Sequence, residues 1–188
     1  MKVPIEISAR HIHLCQKDLE TLFGKGHYLK RKKELTQPGQ FAAEETLDIE
    51  NKERILKGVR VVGPLRDKTQ VELSITDAFT LGIKIKIKKS GDVAETPGIT
   101  LLGPKGKLTL ERGVIIPWRH IHISEKEAKK RKLKAGQTVS VKVKGKRAVV
   151  FNNVKIRTGK NNKFCLHLDT DEGNAANILG KGNGEILL

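Results

Sequence analysis

Cysteines, aromatic residues and long apolar runs are all scarce in this chain of 188 residues. Two cysteines, Cys15 and Cys165, are too few for a disulfide framework, which excludes the small disulfide-stapled secreted domains. No run of about 18 apolar residues is present, which excludes a transmembrane helix. Aromatic residues make up only 4% of the chain and offer few platforms for stacking nucleic-acid bases. We therefore expect a cytoplasmic protein that binds neither membranes nor nucleic acid.

Positive charge is abundant, with a net charge of +16 at pH 7. Such a field attracts polyanions, and a polyphosphorylated small ligand is one of them. The basic residues alternate with apolar ones at 83–88 and 139–144, which is equally typical of a solvated, lysine-rich surface. Charge alone does not choose between these two interpretations.

Apolar residues recur with a period of two in many short segments, each of which predicts a strand, and 83–88 is one of them. This pattern predicts a mostly β protein with short helices. Short strands with glycine-rich turns favour small barrels over an open sheet. Helical patterns are confined to 16–23 and 125–132, and Ser124 with Glu127 predicts a capping box before the second helix.

The chain repeats one element, Arg10-His11-Ile12-His13, as Arg119-His120-Ile121-His122. A second correspondence pairs 71–77 with 166–172 and gives Glu72 and His167 equivalent places. Internal duplication of this kind predicts two related halves.

Each His-Ile-His segment places two imidazoles on one face of a strand, because side chains at positions i and i+2 point the same way. A catalytic zinc commonly takes three protein ligands, and the repeat supplies Glu72 or His167 as the third. The alternative is that each pair is a hydrogen-bonded surface feature. Cys165 shares the face of His167 and is either a ligand or a packed thiol.

Arg66 follows the Gly63-Pro64 turn and lies six residues before Glu72. A guanidinium that approaches the metal site from this loop would grip a phosphate or carboxylate bidentately. The alternative is a solvated loop arginine.

These residues resemble the phosphate propanoyltransferase family, the zinc-dependent phosphotransacylases of bacterial microcompartments. The resemblance runs nearly end to end and rests on segments 8–14, 63–72, 76–78, 119–122 and 166–176. It implies two six-stranded β-barrels related by internal duplication, with the N-terminal strand exchanged between them. Residues 10–117 would form the first barrel and residues 1–9 plus 118–188 the second, with the active site between them.

The resemblance also implies roles for particular residues. Two zinc ions would be held by two sets, which are His11, His13 and Glu72, and His120, His122 and His167. Arg66 would be the catalytic residue that binds phosphate. Contacts to coenzyme A would come from Ile7, Ser8, Ala9, Arg60 and Asn174.

The implied reaction interconverts a short-chain acyl-coenzyme A plus phosphate with acyl phosphate plus coenzyme A, and acetyl and propanoyl substrates both remain open. Arg66-bound phosphate would attack the thioester directly. A dinuclear zinc hydrolase is the alternative from the same ligands, and a nucleic-acid-binding barrel with structural zinc is a third, disfavoured by the scarce aromatic residues. We expect a homo-oligomer.

Microcompartment members of the family carry an N-terminal extension with an amphipathic targeting helix. Here Met1 stands directly before the first predicted strand, so we expect a free cytoplasmic enzyme, with microcompartment association as the alternative.

Overall fold

The computed structural model describes residues 1–187 and is mostly β, with 45% strand and 14% helix. The strands, in chain order, are β1 (Lys2–Ile7), β2 (His11–His13), β3 (Arg31–Glu34), β4 (Phe41–Asn51), β5 (Arg54–Gly63), β6 (Gln70–Glu72), β7 (Ile87–Lys88), β8 (Ile99–Leu102), β9 (Lys107–Leu110), β10 (Val114–Pro117), β11 (His120–Ser124), β12 (Thr138–Val143), β13 (Val149–Gly159), β14 (Cys165–Leu168) and β15 (Lys181–Leu187). The helices are α1 (Gln16–Phe23), α2 (Ile75–Leu81), α3 (Glu125–Lys130) and α4 (Thr170–Ala175). The chain divides into two compact units, which we call the barrel unit (Met1–Ala9 with Trp118–Leu188) and the sheet unit (Arg10–Pro117).

The barrel unit is a closed six-stranded barrel in the order β1-β14-β11-β13-β12-β15. Successive side chains of each strand point to opposite faces, so that one face points into an apolar core while the other points outward. Ile121 and Ile123 of β11 are buried in that core, together with Leu166 and Leu168 of β14. The intervening histidines of these strands consequently lie on the opposite face.

The sheet unit is a nine-stranded half-barrel in the order β7-β10-β6-β2-β5-β4-β8-β9, with β3 paired to β4. Its own core includes Ile12 of β2 and Val71 of β6, both fully buried. As in the barrel unit, burial of these residues turns the flanking polar residues of β2 and β6 to the other face.

The two units share one local topology around their histidine strands. In the sheet unit β2 pairs parallel with β5 and antiparallel with β6, and in the barrel unit β11 pairs parallel with β13 and antiparallel with β14. Strand β1 precedes β2 in the chain yet pairs with β14, while β10 precedes β11 yet pairs with β6. The predicted fold class, mostly β in two duplicated units with an exchanged N-terminal strand, is therefore confirmed. The barrel unit is a closed six-stranded barrel as predicted, whereas the sheet unit is a half-barrel of nine strands in place of a second six-stranded barrel.

The helix predictions hold in part. Helix α1 has the predicted bounds, and α3 ends two residues early, before Lys132 adopts a φ of 58°. Helices α2 and α4 were not predicted, although each begins with a capping box, at Ser74 and at Asp169. The predicted strand over 83–88 is wrong except for its last two residues, because Ile83 and Ile85 pack against the core without strand pairing. None of the helices among residues 1–187 is long and apolar enough to cross a membrane.

Candidate metal centres

In the sheet unit, the structure brings His11, His13 and Glu72 together as one group whose ligand atoms lie within 4.8 Å of one another. Strands β2 and β6 achieve this because His11 pairs directly with Glu72 across the ladder. The Nε2 atoms of His11 and His13 are 3.1 Å apart, and the Glu72 carboxylate oxygens lie 3.6 and 3.9 Å from them. Tetrahedral zinc with nitrogen ligands separates its donor atoms by about 3.3 Å, so these spacings suit one ion.

The protonation states in this group are those that a metal requires. Burial, followed by the charges of His11 and Arg66, lowers the pKa of His13 to about 3, so its imidazole is neutral near pH 7. Its Nδ1–H donates to the carbonyl of Val62 at 3.0 Å, which leaves the Nε2 lone pair for a ligand bond. Burial raises the pKa of Glu72, but His11 and His13 lower it more, to a net value of about 2, so the carboxylate is ionised.

A hydrogen-bond network joins Glu72 to Arg66. The Ser90 hydroxyl donates to Glu72 Oε1 at 2.6 Å and accepts from Arg66 Nη1 at 3.0 Å. Gln70 Nε2 donates to the same Glu72 oxygen at 2.7 Å, and Gln70 Oε1 accepts from the backbone N–H of Gly91 at 2.7 Å. Sequence reasoning missed both Gln70 and Ser90. The position of Gln70, two residues before Glu72 on the same strand face, was a signal for the first, but nothing in the pattern pointed to Ser90.

The loop that carries Arg66 is fixed beside the ligand strand. The backbone N–H of Arg66 donates to the carbonyl of Leu14 at 2.9 Å, one residue beyond His13. The loop begins at Gly63, where an added Cβ would come within 2.2 Å of the Phe41 ring, so this close approach requires glycine. The half-buried Arg66 side chain thus lies at the edge of the sheet-unit group.

In the barrel unit, His120, His122 and His167 form the equivalent group, again with ligand atoms within 4.8 Å of one another. His120 pairs directly with His167 across β11 and β14, and the Nε2 atoms of His120 and His122 are 2.9 Å apart. His120 Nδ1–H donates to the carbonyl of Trp118 at 2.8 Å, as His13 does to Val62. The two units therefore repeat the ligand geometry, whereas the supporting carbonyl bonds the second histidine of the pair in the sheet unit and the first in the barrel unit.

His122 is buried with one ring nitrogen, Nδ1, unpaired among the described residues. Burial, with the charges of His120, His167 and Arg157, lowers its pKa to about 2. His122 is therefore a neutral imidazole near pH 7, and imidazole nitrogens of this kind are ligands that zinc prefers. The donor sets of both units fit zinc.

The arginine of each repeat is tied to the helix that follows the third ligand strand. Arg10 Nη1 donates to Asp77 at 2.6 Å, and Arg119 Nε donates to Glu172 at 2.7 Å. Asp77 and Glu172 each occupy the third position of a capping box, in α2 and α4 respectively. The duplicated arginine therefore joins the strand of the histidine pair to the segment that carries the third ligand.

Replacing Arg10 with alanine should lower the free energy of unfolding by about 1–2 kcal/mol, because the buried Asp77 carboxylate loses a charged hydrogen bond. The loss stays below that of a fully buried pair because the Arg10 side chain is 45% exposed. Urea unfolding measures it, with Arg31→Ala as the matched control, since the Arg31–Glu34 pair is exposed on both sides. Equal loss in the two variants would contradict a structural role for Arg10.

The residues predicted to contact coenzyme A lie in different settings. Ile7 ends β1, and the N–H of Ser8 donates to the carbonyl of Leu168 at 2.8 Å. Arg60 pairs in register with His11, and its guanidinium donates to the carbonyls of Ala43 and Glu44. Ala9 and Asn174, which complete the set, are exposed.

Two further side chains are of ligand type but belong to neither of the two predicted metal-ligand sets. His27 lies outside both groups, with Nε2 2.8 Å from Glu45 and its ring stacked on Phe23. Cys165 is buried, and burial, then the charge of Glu6, raises the pKa of its thiol to about 12. A thiol that stays protonated near pH 7 is a poor nucleophile.

Comparison with known proteins agrees with this geometry. A family model described as phosphate propanoyltransferase matches residues 4–179. A phosphate propanoyltransferase of Thermotoga maritima is 48% identical over 173 residues, which cover 92% of this chain and 82% of that protein. One from Salmonella typhimurium is 47% identical over 175 residues, 93% of this chain and 83% of that protein. One from Rhodopseudomonas palustris is 45% identical over 174 residues, 93% of this chain and 77% of that protein.

Proposed function

Because the chain belongs to the phosphate propanoyltransferase family and is thus a phosphate acyltransferase, we propose that it works with two zinc ions and with phosphate bound by Arg66. The family implies acyl-coenzyme A and phosphate as the substrates. One zinc would be held by His11, His13 and Glu72, and the other by His120, His122 and His167. The observation that carries the proposal is the occurrence of this three-residue geometry in both units, with an arginine beside one of them.

Zinc bound in these groups would act as a Lewis acid toward the thioester carbonyl and would bind the departing thiolate as a ligand. The pKa values of His13, Glu72 and His122 lie at about 3, 2 and 2, so near pH 7 His13 and His122 are neutral imidazoles and Glu72 is a carboxylate. These side chains are therefore ligands and not general acids or bases.

Arg66 is the residue that we assign to phosphate. A guanidinium presents a planar fork of donors that matches two phosphate oxygens, and its contact with Ser90 holds it on the side of Glu72. Positioning the phosphate beside the thioester supplies proximity without a covalent intermediate. The carbon–oxygen bond to phosphate forms as the carbon–sulfur bond breaks, and the proton of the phosphate monoanion or dianion ends on the coenzyme A thiol.

Direct attack also agrees with the state of Cys165. Its thiol, with a pKa of about 12, is not poised to form an acyl-enzyme. The basic surface gives the phosphates of coenzyme A an attractive field, consistent with the net charge of +16. The remaining points stay predictions: the coenzyme A contacts, the acyl-chain preference, a homo-oligomeric state and a cytoplasmic location.

Thiol release from propanoyl-coenzyme A or acetyl-coenzyme A should require inorganic phosphate and yield an equal amount of acyl phosphate. The assay follows free thiol with and without phosphate, using protein whose zinc content has been measured. The relative rates with the two thioesters then give the acyl-chain preference. Phosphate-independent release would identify a zinc hydrolase and overturn the proposal.

A further inference from the structure

Two side chains of the barrel unit that the proposed reaction does not use lie beside His167. Glu6 of β1 pairs directly with His167 of β14 in the parallel ladder. Cys165 precedes His167 by two residues, so both project from the same face of β14. Three potential ligands from two adjacent strands therefore meet at one place.

The distances fit a metal ion. The ligand atoms of Glu6, Cys165 and His167 all lie within 4.8 Å of one another, and Glu6 Oε2 is 3.9 Å from His167 Nε2. A carboxylate, a thiolate and an imidazole are together a ligand set for zinc, cobalt or cadmium. We propose that Glu6, Cys165 and His167 form a second metal position in the barrel unit, for thiophilic divalent ions, and that it shares His167 with the three-histidine group.

The ion pair between Glu6 and Lys181 does not prevent Glu6 from coordinating an ion. The other carboxylate oxygen of Glu6 is 3.0 Å from Lys181 Nζ, but the Lys181 side chain is 80% exposed and returns to water readily. Glu6 itself is 21% exposed, which gives an ion a way in from solvent. On coordination the Cys165 thiol releases its proton to solvent and binds as thiolate, as coordinating thiols do.

The sheet unit has no counterpart of this position. Where Glu6 pairs with His167, the sheet unit pairs Ile115 with Glu72, and Ile115 is fully buried. Where Cys165 pairs with His122, the sheet unit pairs Gln70 with His13, and the Gln70 amide is occupied by Glu72 and Gly91. Duplication therefore does not explain why Glu6 and Cys165 converge on His167.

Sharing His167 makes the two positions of the barrel unit mutually exclusive. An ion bound by Glu6 and Cys165 takes His167 away from His120 and His122. The position is consequently one that excess thiophilic metal would fill at the expense of the three-histidine group. The proposal depends on the proposed function only through His167.

Cobalt absorption tests the position, because only a thiolate ligand gives cobalt a sulfur-to-metal charge-transfer band. His122→Ala disables the three-histidine group but leaves Glu6, Cys165 and His167 in place. The chelator-stripped variant, titrated with CoCl₂, should develop the thiolate band. Adding Cys165→Ala should abolish it, and adding Glu6→Gln should raise the cobalt concentration at half-saturation about tenfold or more. Cys15→Ala is the matched control and should leave the band unchanged.

A folded His122→Ala protein without the band at saturating cobalt would overturn the proposal, as would loss of the band in Cys15→Ala. If circular dichroism shows that His122→Ala does not fold, the test uses Cys165→Ala and Cys15→Ala in otherwise wild-type protein under excess cobalt. The thiolate band should then be absent from Cys165→Ala and present in Cys15→Ala. The band is read without substrates. If the protein shows the thiolate band but lacks phosphate-dependent thiol release, only the proposed function is overturned. If it releases thiol in a phosphate-dependent way but shows no thiolate band, only this metal position is overturned.

Discussion

Replacing Arg66 with alanine should lower kcat/KM for phosphate by about 100- to 1000-fold while zinc content stays at the wild-type value. The guanidinium is the group we assign to phosphate, and removing a single positioned charged donor from an active site has effects of that size. Two of its hydrogen bonds run to Ser90 and to the carbonyl of Leu14, and neither of these partners is a metal ligand in the proposed sets. The Glu72 carboxylate keeps its bonds from Ser90 and Gln70 in the variant.

Steady-state kinetics at varied phosphate, with zinc measured on the same preparations, tests this expectation. Arg112→Ala removes an exposed arginine of the same unit and should change neither quantity. Arg66→Lys keeps the charge but loses the planar fork, so its kcat/KM for phosphate should lie between the values for Arg66→Ala and Arg112→Ala. Wild-type phosphate kinetics in Arg66→Ala would remove Arg66 from the mechanism.

The residues of both candidate centres could be predicted because duplication marks them in the sequence. A lone His-Ile-His segment could be either a metal site or a surface feature. Its repetition, with Glu72 and His167 at matching places, predicts that each histidine pair lies close to its third ligand. The ladders that pair His11 with Glu72 and His120 with His167 bring those residues together. Period-two patterns likewise indicated the mostly β class, since burial of alternate residues is what such strands require.

Other features depend on contacts that no local pattern encodes. Ser90 reaches Glu72 from a loop 18 residues further along the chain, and its neighbours in sequence give no hint of that contact. Helices α2 and α4 are short, and the apolar residues before them read as strand. Their capping boxes at Ser74 and Asp169 were the available signals. The alternation at 83–88 indicated a strand, whereas only Ile87–Lys88 finds a partner, β10.

Replacing Glu72 or His167 with alanine should each remove one of the two zinc ions proposed per chain and lower phosphate-dependent transfer at least 1000-fold. Each change leaves a two-ligand remnant in one unit while the group in the other unit keeps all three ligands. Metal analysis of the purified variants measures the first effect, and the thiol-release assay the second. His27→Ala is the matched control, because His27 contacts Glu45 outside both groups and should retain both ions and full activity.

The two ions should also leave in a fixed order when wild-type protein is titrated with a chelator. The sheet-unit group includes an ionised carboxylate, whereas the barrel-unit group consists of three histidines, so a divalent ion is better neutralised in the sheet unit. Ser90 and Gln70 also hold the Glu72 carboxylate in place, which adds to its affinity. The ion remaining in His167→Ala should therefore match the slow, chelator-resistant phase of the wild type, and the ion remaining in Glu72→Ala the early one. The opposite assignment would mean that the carboxylate does not strengthen binding in this protein.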